Sequence, residues 1–409
     1  MSETERDGDF AERVAFLHRN SDWPNQAALR RGAEAAMPED LADPEVLDWF
    51  QTRPPLTTDG ALRFAEALSR AGAGANAQTT ALLRRIWIGR NLTDRQVRSF
   101  RKRFAGHLRR EDEIARLDRL LRARKFAPAK RQARRLGGGY PALVAARQRL
   151  ATGRGGVDAA IRRVPAALRN DPGLIFERAR WRKRKGLDSG AIALLDGLTP
   201  SPPQAERWWP LRRWAARRSL LLGDASAAYR IAAGHGLDSG LEFAEGEWLA
   251  GWIALRFLDS PEIGYGHFTR LYGKVGKPIS LARAAFWAGE AAQAIDQARI
   301  TAVEQSPGDS SHDATRQWYV TAATHGTTFY GQLARQRLGR APSIVLPGPA
   351  TPEAESRAAF DAQELVRVVR ILGELGETKL QKKFLRRLGT AATTDAEHAL
   401  VAELAMQQG

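Results

Sequence analysis

Apolar residues recur at i, i+3, i+4 and i+7 through almost every segment of the chain, and Gly, Pro, Asp or Asn interrupts them roughly every 10–20 residues. That period is the helical one. Leu62-Ala65-Leu68 runs into Ala71-Gly72, Ala81-Leu82-Ile86 ends near Gly89, Ile114-Leu117-Leu120-Leu121 follows, and Leu211-Trp214-Ala215 runs to Leu222-Gly223-Asp224. The alternating β-branched and aromatic runs that strands need are missing; Ile344-Val345-Leu346 is short and boxed by Pro342 and Pro347. The chain therefore reads as all-α. Start signals support it: Thr93-Asp94 opens a helix at Val97, Asp171-Pro172 precedes Leu174, and Ser280 stands ahead of Ala284-Trp287. Gly186, Gly223, Gly236 and Gly339 supply the stops.

Several helix pairs resemble one another at a spacing of roughly 30–40 residues, with small Ala positions and a Gly-Asp or Gly-Leu turn. Leu222-Gly223-Asp224-Ala225-Ser226-Ala227-Ala228-Tyr229 and Lys185-Gly186-Leu187-Asp188-Ser189-Gly190-Ala191-Ile192 both read as helix end, turn and Ala-rich second helix. The pattern is tetratricopeptide-like without being a regular tetratricopeptide array. A helix pair cannot bury its apolar face alone, so stacked pairs imply an α-superhelix or solenoid, curved or ring-like. The expected organisation is a helical superhelical domain over residues 1–340, a proline-rich linker at 341–352 and a small helical domain at 353–409. Arg340 to Pro352 holds the linker's prolines, which disfavour helix. Beyond it, helices are expected at Ala359–Leu372, Lys379–Leu388 and Asp395–Met406, in a piece too small to stand alone, which docks on the solenoid or on something after residue 409.

Composition then removes whole classes of function. Of 409 residues, 43% are hydrophobic, too many for a disordered chain. The most apolar stretch, Trp248 to Leu258, contains Arg256 and is too short to span a bilayer. The first nine residues are acidic where an export signal needs a basic region and an apolar core, so no signal peptide is read. With no cysteine there is no disulfide, thiolate nucleophile or Cys-ligated zinc, and the seven His residues show no metal-site spacing. Neither metal nor cofactor is expected.

The net charge of +17 comes mostly from Arg, which outnumbers Lys about five to one. Between Arg90 and Arg135 stand 17 Lys or Arg against 5 Asp or Glu. Such a block can track a phosphate backbone, yet no helix-turn-helix, RNP or zinc motif accompanies it. The favoured reading is a solvated outer face, with nucleic acid an unlikely partner.

Candidate chemistry is sparse. Gly137-Gly138-Gly139 lacks the Lys-Ser and preceding strand of a phosphate loop and reads as a helix break. Glu355-Ser356 sits at a helix start, where capping explains both residues. Trp208, Trp209, Trp214, Trp248, Trp252, Trp287 and Trp318 are suited to stacking on sugars, but at helical spacing in an Ala-rich chain they read as core. No residue is assigned a catalytic, cofactor or metal role.

Three ordered motifs carry a resemblance. Glu247-Trp248-Leu249-Ala250-Gly251-Trp252-Ile253-Ala254-Leu255-Arg256-Phe257-Leu258 is followed by His267-Phe268 and Leu271-Tyr272. Pro278-Ile279-Ser280-Leu281-Ala282-Arg283-Ala284-Ala285-Phe286-Trp287-Ala288-Gly289-Glu290-Ala291 comes next, then Trp318-Tyr319, then Thr327-Thr328-Phe329-Tyr330-Gly331-Gln332-Leu333-Ala334. With Asp22-Trp23-Pro24, Leu29-Arg30-Arg31 and Ala33-Glu34, these segments resemble the helical superhelix of the soluble lytic murein transglycosylases over most of Phe10 to Gly339.

The resemblance implies a ring of superhelical helices, a linker domain and a lysozyme-like domain. That last domain cleaves the β-1,4 bond between N-acetylmuramic acid and N-acetylglucosamine non-hydrolytically, leaving a 1,6-anhydro product. In the family one Glu, in a Glu-Ser motif followed by a Gly-Leu-Met-Gln segment, acts as acid and then base. Here Glu355-Ser356 lies too early and no such segment follows, so no catalytic residue is carried over and the catalytic domain is expected to be absent from this chain. The resulting expectation is the scaffold portion of a periplasmic lytic transglycosylase, inactive alone. Its expected partners are peptidoglycan glycan strands and its own missing catalytic domain. The alternative is a tetratricopeptide-like scaffold that binds a peptide or nucleic acid through the Arg90–Arg135 face.

Overall fold

The structure is a computed structural model that describes residues 9–72, 77–198, 203–302, 311–341 and 350–408. Among these residues there are 23 α-helices and no strand, the all-α fold that the helical period requires. The helices are α1 (Phe10–Arg19), α2 (Gln26–Ala35), α3 (Asp43–Gln51), α4 (Thr58–Arg70), α5 (Ala77–Gly89), α6 (Asp94–Phe104), α7 (Arg110–Arg122), α8 (Phe126–Leu136), α9 (Tyr140–Thr152), α10 (Val157–Arg162), α11 (Pro172–Arg184) and α12 (Asp188–Asp196). They continue as α13 (Ala205–Leu221), α14 (Ala225–Ala233), α15 (Gly240–Phe257), α16 (Pro261–Lys274), α17 (Pro278–Ala302), α18 (Ser311–Ala323), α19 (Phe329–Arg337), α20 (Ala354–Asp361), α21 (Glu364–Glu374), α22 (Thr378–Ala391) and α23 (Asp395–Gln408). The expected proline linker lies largely outside the described residues, at Pro342–Pro349, as does the acidic start at 1–8.

Local chemistry explains where helices begin and stop. Thr93 accepts from the Gln96 N–H while the Gln96 side chain accepts from the Thr93 N–H, a reciprocal cap that starts α6 at Asp94, one turn before Val97. Asp171 accepts from Leu174 N–H at 2.7 Å ahead of α11. Such caps are worth ~1 kcal/mol each. Ser280 caps nothing, because α17 begins at Pro278, whose fixed φ suits the first helical turn. At the other end of α13, Gly223 takes φ +82° and lets Asp224 N–H reach Ser219 O at 2.9 Å. Gly137–Gly139 separates α8 from α9 with φ of +64°, +51° and +89°, the helix break expected there.

The chain divides into two compact units, Met1–Arg119 with Pro347–Gly409, and Leu120–Leu346. In the first, Leu17, Ala33, Val46, Trp49 and Phe50 bury one apolar cluster, and Leu83, Ile86, Trp87, Val97 and Phe100 another. Four helices, rather than three, follow residue 353: the chain turns at Ala362–Gln363, between α20 and α21, so that Phe360 and Leu365 both enter one core with Phe384, Leu388, Leu400 and Leu404. Trp23 packs on this core edge-on to Phe384 at 5.1 Å, and Arg387 donates to Asp22 O at 2.8 Å. The last helices thus pack on the segment between α1 and α2. In the second unit, consecutive helices from α13 to α19 pack on one another, α13 to α17 around Trp208, Trp209, Phe243, Leu249, Ile253 and Leu271, and α17 to α19 around Phe286, Tyr319 and Ala334.

Candidate functional site

The motif segments fall on α15 to α19, where their residues act mainly on one another. Gly251 permits a close approach of α15 to α16: a Cβ there would stand 2.8 Å from the Phe268 ring. At Gly331 a Cβ would lie 2.1 Å from His325 O, so only Gly fits the start of α19. Trp248 stacks on Trp252 at 5.8 Å and meets Trp287 edge-on at 6.2 Å. Arg283 lies over Trp248 at 5.4 Å and Arg256 over Trp287 at 5.3 Å. Trp318 donates its Nε1–H to Tyr265 Oη at 3.1 Å. Trp208 and Trp209 are buried, while Trp214, Trp248, Trp252, Trp287 and Trp318 are half-buried in the same clusters.

Two glutamates organise this region. Glu247, 2% exposed, accepts from His235 Nε2 at 3.0 Å, His267 Nδ1 at 2.7 Å and Arg270 Nη1 at 3.0 Å. His235 Nδ1 accepts from Leu237 N–H at 2.9 Å, which fixes the proton on Nε2 and makes that nitrogen the donor to Glu247. Tyr229 Oη pairs with His267 Nε2 at 3.2 Å, so α14, α15, α16 and the turn after α14 share one network. Burial raises the Glu247 pKa, but the bonds from His235 and His267, with the Arg270 charge behind them, more than offset that and hold it at about 2. Glu290 is bound likewise: Arg256 at 2.8 Å, Tyr319 Oη at 2.8 Å and Arg337 at 3.0 Å all donate to it. Burial, and then Glu290, push the Tyr319 hydroxyl well above its ordinary value.

These glutamates were not among the candidates read from the sequence. The available signal was a Glu inside an otherwise apolar helix. Chemically, a carboxylate held at about 2 is ionised at neutral pH and carries no proton to give a leaving group, so Glu247 is suited to cohesion and not to general acid catalysis. Glu355 and Ser356 lie in the first turn of α20, but the N-cap is Glu353 and its side chain makes no capping bond; the charge of Glu355 suits the positive end of the helix dipole. Among the described residues no group of three or more His, Cys, Asp or Glu is placed to hold a metal ion.

The basic block is spent partly inside the protein. Arg90 donates to Leu56 O at 2.7 Å and Pro55 O at 2.5 Å, Arg119 to Arg90 O at 2.9 Å, and Arg124 to Ala151 O at 3.0 Å. Arg116, 2% exposed, donates to Trp87 O and lies over the Trp87 ring at 4.3 Å. Arg101 pairs with Glu113, and Arg103 with Glu66. Farther along, buried Arg212 reaches Ile231 O at 3.1 Å and Leu198 O at 2.9 Å, and burial lowers its pKa to about 10, still charged at neutral pH. Apart from Arg90, whose acceptors lie in the loop before α4, the guanidinium groups bonded to carbonyls meet them at or near helix C-termini, which lack intrahelical donors.

Two cavities accompany these networks. One of about 880 Å³ in the first unit is walled by Leu47, Phe50, Phe64 and Leu82 with Asp48 and Arg85. One of about 440 Å³ in the second unit is polar and lies among α17, α18 and α19.

No family model matches the sequence, and no curated protein matches it. Among solved structures the chain is similar to the lytic transglycosylase Slt of Pseudomonas aeruginosa, in the X-ray structure of an inactive mutant, with a TM-score of 0.60 and 18% sequence identity. The match covers 98% of this chain and 63% of that chain, so this chain spans less than two thirds of the transglycosylase's length. No described helix is long and apolar enough to cross a membrane. The all-α fold of this chain is one found in a lytic transglycosylase.

Proposed function

We propose that this chain is the helical scaffold of a lytic-transglycosylase-type protein that binds peptidoglycan strands in the cell-wall compartment, with cleavage of the glycan performed by groups outside these 409 residues. The observation that carries it is the fold match over 98% of the chain. The motif helices α15–α19 add support, since their close contacts at Gly251 and Gly331 and their buried glutamates account for the residues that carry the resemblance. Within this reading, residues 1–340 form the superhelical domain and 353–409 a linker domain.

Co-sedimentation with purified murein sacculi tests the binding half: the protein is expected in the pellet, displaced by soluble glycan strands, and its retention in the supernatant overturns the proposal. A turbidity assay tests the other half, because lysis of sacculi by these residues alone places cutting groups within them. The nucleic-acid alternative has less support, since Arg90, Arg116, Arg119 and Arg124 are engaged with backbone carbonyls. Duplex DNA binding that depends on sequence as well as salt would restore it.

A further inference from the structure

The polar cavity of about 440 Å³ is lined by a buried carboxylate. Asp296 of α17 lines it and is 7% exposed, yet among the described residues its sole hydrogen-bond partner is Thr315 Oγ1–H, 3.2 Å from Oδ2. Glu247 and Glu290, comparably buried, have three donating side chains each. A buried carboxylate with one neutral partner among the described residues keeps acceptor capacity that a cation entering the cavity can use. Arg316 of α18 and Arg340, just past α19, line the same cavity as exposed residues, and neither is hydrogen-bonded to Asp296.

The third arginine of the cavity, Arg337, is already committed to Glu290. Among the described residues the cavity therefore offers one buried anionic point and two cationic points, Arg316 and Arg340, without an ion-pair partner. Its aromatic residue, Tyr319, is 5% exposed with the ring against Phe286, so it presents no open face for stacking a sugar. The volume lies within the ordinary range of small-ligand sites, about 300–1,000 Å³.

We propose that this cavity binds the zwitterionic end of an amino acid, its ammonium on Asp296 and its carboxylate between Arg316 and Arg340. The charge argument depends only on this cavity, while the choice of murein amino acids as probes rests on the reading above, which the sacculus sedimentation assay tests separately.

Calorimetric titration of the full chain with L-alanine, D-alanine and meso-diaminopimelate tests it. At least one is expected to bind saturably, and N-acetylation or amidation of that ligand, each of which removes one charge, is expected to weaken binding roughly tenfold or more. D296N should weaken it by a similar factor, and so should R316A/R340A. The double variant changes only exposed side chains, so it decides the question should D296N fail to fold. The proposal is overturned if none of the three binds up to about 10 mM, a weak but measurable range. It is equally overturned if the R316A/R340A variant binds as the parent does, or if the neutral disaccharide di-N-acetylchitobiose binds as tightly as the amino acids.

Discussion

Glu34 and Glu247 are both buried carboxylates within motif segments, and the two regions satisfy them in opposite ways. Glu34, on α2 and 4% exposed, accepts from Leu56 N–H at 2.8 Å, Thr57 N–H at 2.6 Å and Thr57 Oγ1–H at 2.6 Å. Those donors precede α4, whose N-cap is Thr57, so the charge rests at the positive end of a helix dipole. Glu247 takes its bonds from the side chains of His235, His267 and Arg270 instead. Two of Glu34's three donors are backbone N–H groups, which persist under almost any substitution that keeps the local backbone, whereas a side-chain network needs several residues chosen together. The α2–α4 contact should therefore tolerate change near its carboxylate, and the α14–α16 contact should not.

The sharpest way to break that comparison is to remove the hub. E247A leaves two histidine N–H donors and an arginine without their common acceptor, and should cost about 3–5 kcal/mol. Hydrogen exchange should show the loss concentrated in α14–α16; a cost under about 1 kcal/mol would mean the network is ornamental. Acid offers a reversible version of the same cut. The Glu247 carboxyl is depressed to about 2 in the fold from an ordinary 4.5, so its stabilisation is present above pH 4.5 and disappears as pH falls through about 2. The amount is roughly 3 kcal/mol. Denaturation curves between those limits should separate the parent from E247Q, which lacks this dependence; parallel curves would contradict the depressed value.

E34A is expected to cost about 2 kcal/mol, less than E247A, because water can reach the freed N–H groups at the start of α4 once the side chain is gone. E34Q should recover part of it, since one amide oxygen still accepts. Local exchange in α4 is the measurement, and an effect spread evenly over the first unit would count against a capping role.

Much of the fold was readable because the helical period and its punctuation are local. Thr93, Asp171, Gly223 and Gly339 do what their residue types do at helix ends, without reference to the rest of the chain. The site was less readable because its partners are distant. His235 and Arg270 lie 12 and 23 residues from Glu247, and only the packing of α14 to α16 brings them together. The Arg90–Arg135 block showed its sign in the sequence but not its use, since a guanidinium that seeks a helix-end carbonyl and one that seeks a phosphate are the same residue. Asp296 stands in an Ala-rich helical run, where a solvated carboxylate and a buried one look alike until α18 is laid against it.

The smallest expected effect bears on which bonds of the Glu247 network matter. The Arg270 side chain is 51% exposed, while those of His235 and His267 are 5% and 6% exposed. Water competes for an exposed guanidinium and screens its charge, so R270A should cost no more than about 0.5–1 kcal/mol. H267A removes a buried donor and leaves Glu247 a desolvated oxygen with no replacement, and should cost several times as much. A double-mutant cycle pairing each variant with E247Q isolates the two couplings. A larger coupling for Arg270 than for His267 would mean that charge, and not a desolvated hydrogen bond, holds α16 to α15, and it would place Glu247 nearer to Glu34 in kind than their partners suggest.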